Sequence, residues 1–226
     1  MRLPVMLAVA GICVSTAAQA TTVANGSFDL TSDASKGLNF KTDLNDLANG
    51  KSRPSWDVFK TLSGWHSTGA GVEVQTNRTL GQIDAHSGPL YLELDSNKNS
   101  GIFQDLALTG GQYELTFYYS PRIKNKPETN GIAYSVGDVS GSVTGPVNGT
   151  PYGAWTKVSQ VFKVDANGAP IRLAFGAKGR NDSLGGLIDT VSIAAIPVPA
   201  PFLMLGAGVV GLAGFGARKR SSKEAV

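Results

Sequence analysis

The sequence predicts an all-β fold, an antiparallel two-sheet sandwich, flanked by an N-terminal signal helix and a C-terminal membrane helix. About ten short segments alternate apolar with polar residues or are dense in β-branched and aromatic side chains, the pattern of a half-buried strand. Turn dipeptides punctuate them: Gly110-Gly111, Asn148-Gly149, Asn167-Gly168 and Gly185-Gly186. Long uncharged apolar runs, by contrast, sit at the two ends of the chain.

The predicted strands cover 23–30, 72–76, 90–95, 101–108, 112–120, 132–136, 139–143, 155–164, 171–176 and 187–193. In the segment 113–119 one face carries Tyr113, Leu115, Phe117 and Tyr119. In 155–164 the inward face carries Val158, Phe162 and Val164, with lysines opposite. Residues 31–63 resist the pattern. They are polar and irregular, with a helical turn or two around 44–48, then Trp56-Asp57-Val58-Phe59. Loops this long are functional or mobile. No internal repeat is visible, and short strands with frequent turns point to a sandwich.

Residues 1–20 read as a secretory signal peptide. Arg2 supplies the positive start, 3–14 the apolar run, and Ala18-Gln19-Ala20 a small-x-small cleavage site, with cleavage after Ala20. Cys13, the single cysteine, lies inside this segment. The predicted mature domain, 21–195, therefore has no disulfide, thiol nucleophile or cysteine-ligated zinc.

At the other end no charge occurs from Thr190 to Ala217, and then Arg218, Lys219 and Arg220 follow consecutively. As a helix, 202–217 spans ~24 Å, somewhat short of a hydrocarbon layer of roughly 30 Å. Local thinning and snorkelling of the basic cluster close that gap. The cluster belongs on the cytoplasmic side, which leaves the domain outside, as the signal peptide also implies.

Ile196-Pro197-Val198-Pro199-Ala200-Pro201, the glycine-rich apolar stretch and the basic end together resemble the PEP-CTERM sorting signal of Gram-negative bacteria. The resemblance covers 196–226. It implies a processing membrane protease of the exosortase kind and an association with exopolysaccharide and biofilm. The implied location is the inner membrane with the domain in the periplasm, or the cell surface or matrix after processing. The triplet Pro199-Ala200-Pro201 carries alanine where that family usually has glutamate.

The formal charge of +3 is concentrated at the ends. Without Arg2, Arg218, Lys219, Arg220, Lys223 and Glu224 the domain is slightly acidic and has no basic run, so nucleic acid is not an expected partner.

Within the domain a series of phrases occurs in order: Asn25-Gly26-Ser27-Phe28-Asp29, Gly64-Trp65, the stretch 88–95, Ser100-Gly101-Ile102-Phe103-Gln104-Asp105, the stretch 111–122, and 187–193. The set resembles galactose-binding-like jelly rolls, the fold of many carbohydrate-binding modules, and plant cell-wall domains that open with the same Asn-Gly-Ser-Phe phrase. The resemblance implies a jelly-roll sandwich and leaves the ligand open, because that fold hosts many functions. It also implies that Asp29 and Asp189, on first and last strands, come close enough to hold a structural calcium with backbone carbonyls. The competing reading makes both ordinary strand-end residues that bind turn amides.

A saccharide site needs aromatic faces beside groups that orient hydroxyls. Trp56, Trp65, Tyr118, Tyr152 and Trp155 offer faces, and Arg122, Asn125, Asn130 and Gln104 offer polar partners. The narrower candidate set is Trp56, Trp65, Arg122, Asn125 and Tyr152. The competing reading places these aromatics in the core and rim.

No catalytic residues are assigned. His66 and His86 lack metal-ligand spacing, and neither Gly-x-Ser-x-Gly nor a phosphate-cradling loop occurs. Glu73, Glu93 and Asp95 could pair as glycosidase carboxylates, but sheets carry such acidic pairs routinely. The expected function is a non-enzymatic, matrix-associated protein that binds or scaffolds polysaccharide. A structural protein with protein contacts only is the rival, and a glycoside hydrolase the third reading.

Overall fold

The computed structural model describes residues 20–21, 23–31, 36–52, 54–77, 79, 83–124, 126–145, 153–165 and 169–197. The expected signal segment through Ala18, the sorting residues Pro199, Ala200, Pro201, Arg218, Lys219 and Arg220, and both Asn125 and Tyr152 lie outside these. Among the described residues no helix is long and apolar enough to cross a membrane.

In chain order the elements are β1 Ala20–Thr21, α1 Leu44–Ala48, β2 Trp56–Phe59, β3 Thr61–Leu62, β4 Trp65–Thr68, β5 Val72–Thr76, β6 Leu90–Glu93, β7 Gly101–Leu106, β8 Gly111–Ser120, β9 Gly131–Val136, β10 Val139–Val143, β11 Thr156–Val164, β12 Ile171–Lys178 and β13 Leu187–Ala195. They form two sheets, with every strand pair antiparallel. One has the order β11-β8-β13-β6-β5-β2 with β1 added on β13; the other runs β10-β9-β12-β7-β4-β3. The two-sheet antiparallel sandwich read from the sequence is present, in an arrangement consistent with a jelly roll.

The alternation in β8 drives the packing. Tyr113, Leu115, Phe117 and Tyr119 are all buried, as the period-2 pattern predicts. Phe117 meets Phe175 of β12 and Tyr134 of β9 edge to face, with ring centroids 5.1 and 5.2 Å apart. These rings lie in opposite sheets, so the contacts join the two layers.

Two segments depart from the sequence reading. The first, 23–30, is a turn rather than a strand. Asn25 and Phe28 both adopt positive φ, at 51° and 63°. The Asn25 side chain accepts from Leu30 N–H and donates to Ser63 carbonyl, which fixes the turn. Phe28 drops into the core against Trp65 at 5.7 Å. Gly26 is required here because a Cβ would strike the Val191 carbonyl, where β13 bulges between Asp189 and Ser192.

The second departure is 31–63, which ends in β2 and β3 and leads into β4. The helical turn falls at Leu44–Ala48, with Leu44 and Leu47 buried and Asp43 capping it by accepting from Asn45 N–H. Asp57 holds this region onto β2. Its buried carboxylate accepts backbone N–H groups from Asn39, Phe40, Thr42 and Val58.

Candidate functional site

The register of the seven-stranded sheet lines up side chains on its outer face, away from the other sheet. Directly opposed residues share a face. Trp56 faces Gln75, and Gln75 faces Tyr91. Asp189 of β13 is the next step across and faces Tyr118 of β8. The neighbouring row runs Val58, Glu73, Glu93, Leu187 and Ser120. The inner-face residues between them, Val72, Val74, Leu90 and Leu92, belong to the main core.

This outer face is covered, so its polar residues are buried. Tyr91 and Leu187 form a second apolar cluster with Ile83, joined by Ala85 and Trp155. Trp155 packs edge-on to Tyr91 at 5.8 Å and donates its indole N–H to the Asp84 carbonyl. His86 stacks on Tyr118 with centroids 3.4 Å apart. Burial holds the His86 imidazole below its usual pKa.

Beside this aromatic group stands a buried polar centre. Glu73, Gln75, Glu93 and Arg122 are all buried. Gln75 Nε2 bridges the carboxylates, 2.6 Å from Glu73 and 2.9 Å from Glu93. Arg122 pairs directly with Glu93 and lies 3.9 Å from Glu73. Ser96 Oγ donates to Glu73, and Gly185 N–H donates to Glu93. Burial pushes both carboxyls up, Glu93 well up, where the nearby Glu73 adds to the rise and Arg122 opposes it.

Several buried polar atoms here have no hydrogen-bond partner among the described residues: Gln75 Oε1, Tyr91 Oη, Ser120 Oγ and Arg122 Nε. Native proteins satisfy nearly all such atoms, so a group of them on one sheet face points to a ligand or water.

The structure thus brings Trp56, Arg122 and Asp189 to one sheet face. Trp56 is half-buried at the sheet edge, with the exposed ring of Phe40 edge-on at 4.9 Å. Trp65 requires a correction. It is 2% exposed between the sheets, its indole N–H donates to the Asn25 carbonyl, and no ring face is left for a ligand. Gln104 and Asn130 are likewise structural: Gln104 pairs with both backbone groups of Ala24, and Asn130 with Ile123 and Lys126.

Asp29 and Asp189 do approach each other, bracketing one loop. Asp29 accepts from Leu90 N–H, and Asp189 accepts from Ser87 and Thr190 N–H groups. Burial chiefly, with Asp29 nearby, pushes Asp189 up to about 7; burial also raises Asp29. The loop turns amide N–H groups toward both carboxylates, the arrangement of strand-end residues that bind turn amides, and a hard cation there would need oxygen ligands besides these two carboxylates. No group of three or more potential metal-ligating side chains occurs among the described residues. The pair acts as an anchor for loop amides.

Sequence reasoning named Glu73 and Glu93 as a possible carboxylate pair and Arg122 as a separate binding residue, but did not join them or include Gln75, because these residues alternate with apolar ones as solvent-facing strand residues do. The covering loops that bury them leave no periodic signal.

No protein-family model matches this chain, and no curated protein matches it. Solved structures do resemble it. A cyclase from Fischerella sp. TAU superposes with a TM-score of 0.53 at 13% identity, covering 81% of this chain and 100% of that one. The Stig cyclase Fisc from the same organism, in complex with a pyrrolidinylidene-indole, gives 0.52 at 13% identity, with the same coverage. The carbohydrate-binding module TmCBM61, in complex with beta-1,4-galactotriose, gives 0.44 at 19% identity over 58% of this chain and 88% of that one. At these identities the cyclases support the sandwich fold and carry no ligand across, and the binding-module likeness is too partial to add to that.

Proposed function

We propose that this chain is an exported, non-enzymatic β-sandwich that binds saccharide at the β2 edge of its seven-stranded sheet. The observation that carries this reading is the half-buried Trp56 on that edge strand, with the exposed ring of Phe40 edge-on to it at 4.9 Å. Sugars offer apolar ring faces, and an aromatic pair at an accessible edge complements them. The rest of the outer face is covered, since Gln75, Tyr91 and Asp189 are fully buried and His86 stacks on Tyr118. Affinity electrophoresis of the full chain through gels containing neutral or charged polysaccharides tests the reading. Trp56→Ala is expected to weaken retention about tenfold, equivalent to ~1.4 kcal/mol. Equal mobility in every gel refutes it.

Glu73 and Glu93 do not support a glycosidase mechanism. They meet across Gln75 and Arg122, whereas a hydrolytic pair stands about 5–10 Å apart with substrate between.

A purely structural role draws on a different observation. Leu30, Leu38 and Phe40 are exposed at 56%, 38% and 49%, an apolar set suited to a protein contact. Substituting Leu30 and Leu38 with serine, and leaving Phe40 beside Trp56 in place, separates the readings, since it weakens partner capture but spares polysaccharide retention.

Export and sorting complete the proposal, supported by the signal-like residues 1–20 and the tail 196–226. Intact mass and fractionation from the native host test them. Loss of 1–20 and of the residues beyond Pro201 is expected from processing by an exosortase-like enzyme. An unprocessed tail in the inner membrane would leave a membrane-anchored periplasmic module.

A further inference from the structure

Two carboxylates and one guanidinium share the buried centre on the seven-stranded sheet. With all three ionised, one negative charge would stand uncompensated among the described residues, where Glu93 and Gln75 have no exposed surface. Glu73 and Glu93 converge on one donor, Gln75 Nε2, at 2.6 and 2.9 Å, and on the same guanidinium. Two carboxylates gathered on one site cannot both ionise at low cost, so one retains a proton more readily. A proton, unlike a metal, sits readily beside Arg122.

The centre also joins loops remote in sequence. Ser96, in the connection after β6, donates to Glu73. Arg122 follows β8 and reaches both glutamates and the Ser183 carbonyl. Gly185, just before β13, donates to Glu93. Three connections therefore meet on one carboxyl pair.

We propose that the Glu73–Glu93 pair holds one proton at neutral pH, and that this proton latches the three connections 94–100, 121–130 and 179–186 over the sheet. Its loss leaves two anions sharing one cation, and the repulsion loosens the connections until water reaches the pair. The inference is independent of the saccharide reading.

Among the described residues the surrounding groups do not supply the missing charge. Tyr91, close to Arg122, Glu73 and Glu93, is held neutral by burial. Asp95, beyond β6, accepts from Asp182 N–H and is raised by burial, with Asp182 adding to the rise. Val58 and Leu187, the flanking residues on β2 and β13, carry no charge. Lys98, Lys124, Lys126 and Arg180, the other described cations of the three connections, are exposed and bond to neither glutamate.

The sign of the pH effect follows. A carboxyl raised in the folded state contributes stability that is full below its ordinary value of 4.5 and is lost as pH rises through the folded value. The pair titrates as a unit, so the proton belongs to both residues.

The test is carbon NMR of the full-length chain in mild detergent, with glutamate side chains isotopically labelled. The expected result is a coupled pair of carboxyl signals, one step of which titrates above neutral pH. In Glu93→Gln that step disappears, and Glu73 remains ionised as the partner of Arg122. All glutamate signals reaching the ionised position below neutral pH would overturn the proposal. Denaturant unfolding gives a second readout, with stability declining from pH 6 to 9 more steeply in the wild type than in Glu93→Gln. Identical slopes would overturn the latch even if the variant folds poorly at one pH.

Discussion

Charged residues placed out of reach of water carry much of the specificity in this domain. Arg122 pairs with one member of a buried carboxyl pair, and Asp57 gathers four backbone N–H groups. Removing one member of a buried ion pair leaves the other uncompensated, which costs about 3–5 kcal/mol. Arg122→Ala is expected to lose stability in that range by denaturant titration at neutral pH. Asp57→Ala strands several amides, each bonded to a charged acceptor, and should cost at least ~2 kcal/mol. At this scale the sequence reads unevenly. The core face of β8 was legible because Tyr113, Leu115, Phe117 and Tyr119 follow strict alternation. Arg122 was legible as a polar residue at a strand end and Glu73 and Glu93 as carboxylates that could pair, but their burial together with Arg122 was not. A glutamate between two apolar residues looks identical whether its face meets water or a covering loop.

Strands buried on both faces behave differently from half-buried ones. β5 and β6 have every residue buried or nearly so, although their sequences alternate. β2, β3 and β4 escaped detection because they are only two to four residues long and β2 carries a charge at its centre. Pairing with long-range partners, rather than local propensity, makes these segments strands. The turn at 24–28 was read as a strand for the opposite reason. Its apolar residues Val23 and Phe28 enter the core, but through positive-φ turns. Gly26→Ala tests that packing. The added methyl must displace the Val191 carbonyl at the β13 bulge, and a loss of about 1–3 kcal/mol in thermal unfolding is expected. An unchanged melting temperature would show that the bulge yields easily.

As a whole, residues 19–195 form one compact unit, with a core between two sheets and a second, smaller packing layer on the outer face of one of them. The sandwich was legible from alternation and turn spacing, while the second layer was not, since loops bury it without a repeating pattern. The amide-anchoring role of Asp29 and Asp189 has a consequence at this scale: chelator treatment should leave the melting temperature unchanged, and added calcium should not raise it. The central claim, that the Trp56 edge of the seven-stranded sheet binds saccharide, is tested most directly by titrating the full chain with a panel of soluble polysaccharides while following tryptophan fluorescence. The account predicts a saturable change with at least one polysaccharide, weakened about tenfold in Trp56→Ala. Absence of any response across the panel, or a response that Trp56→Ala leaves intact, would contradict it.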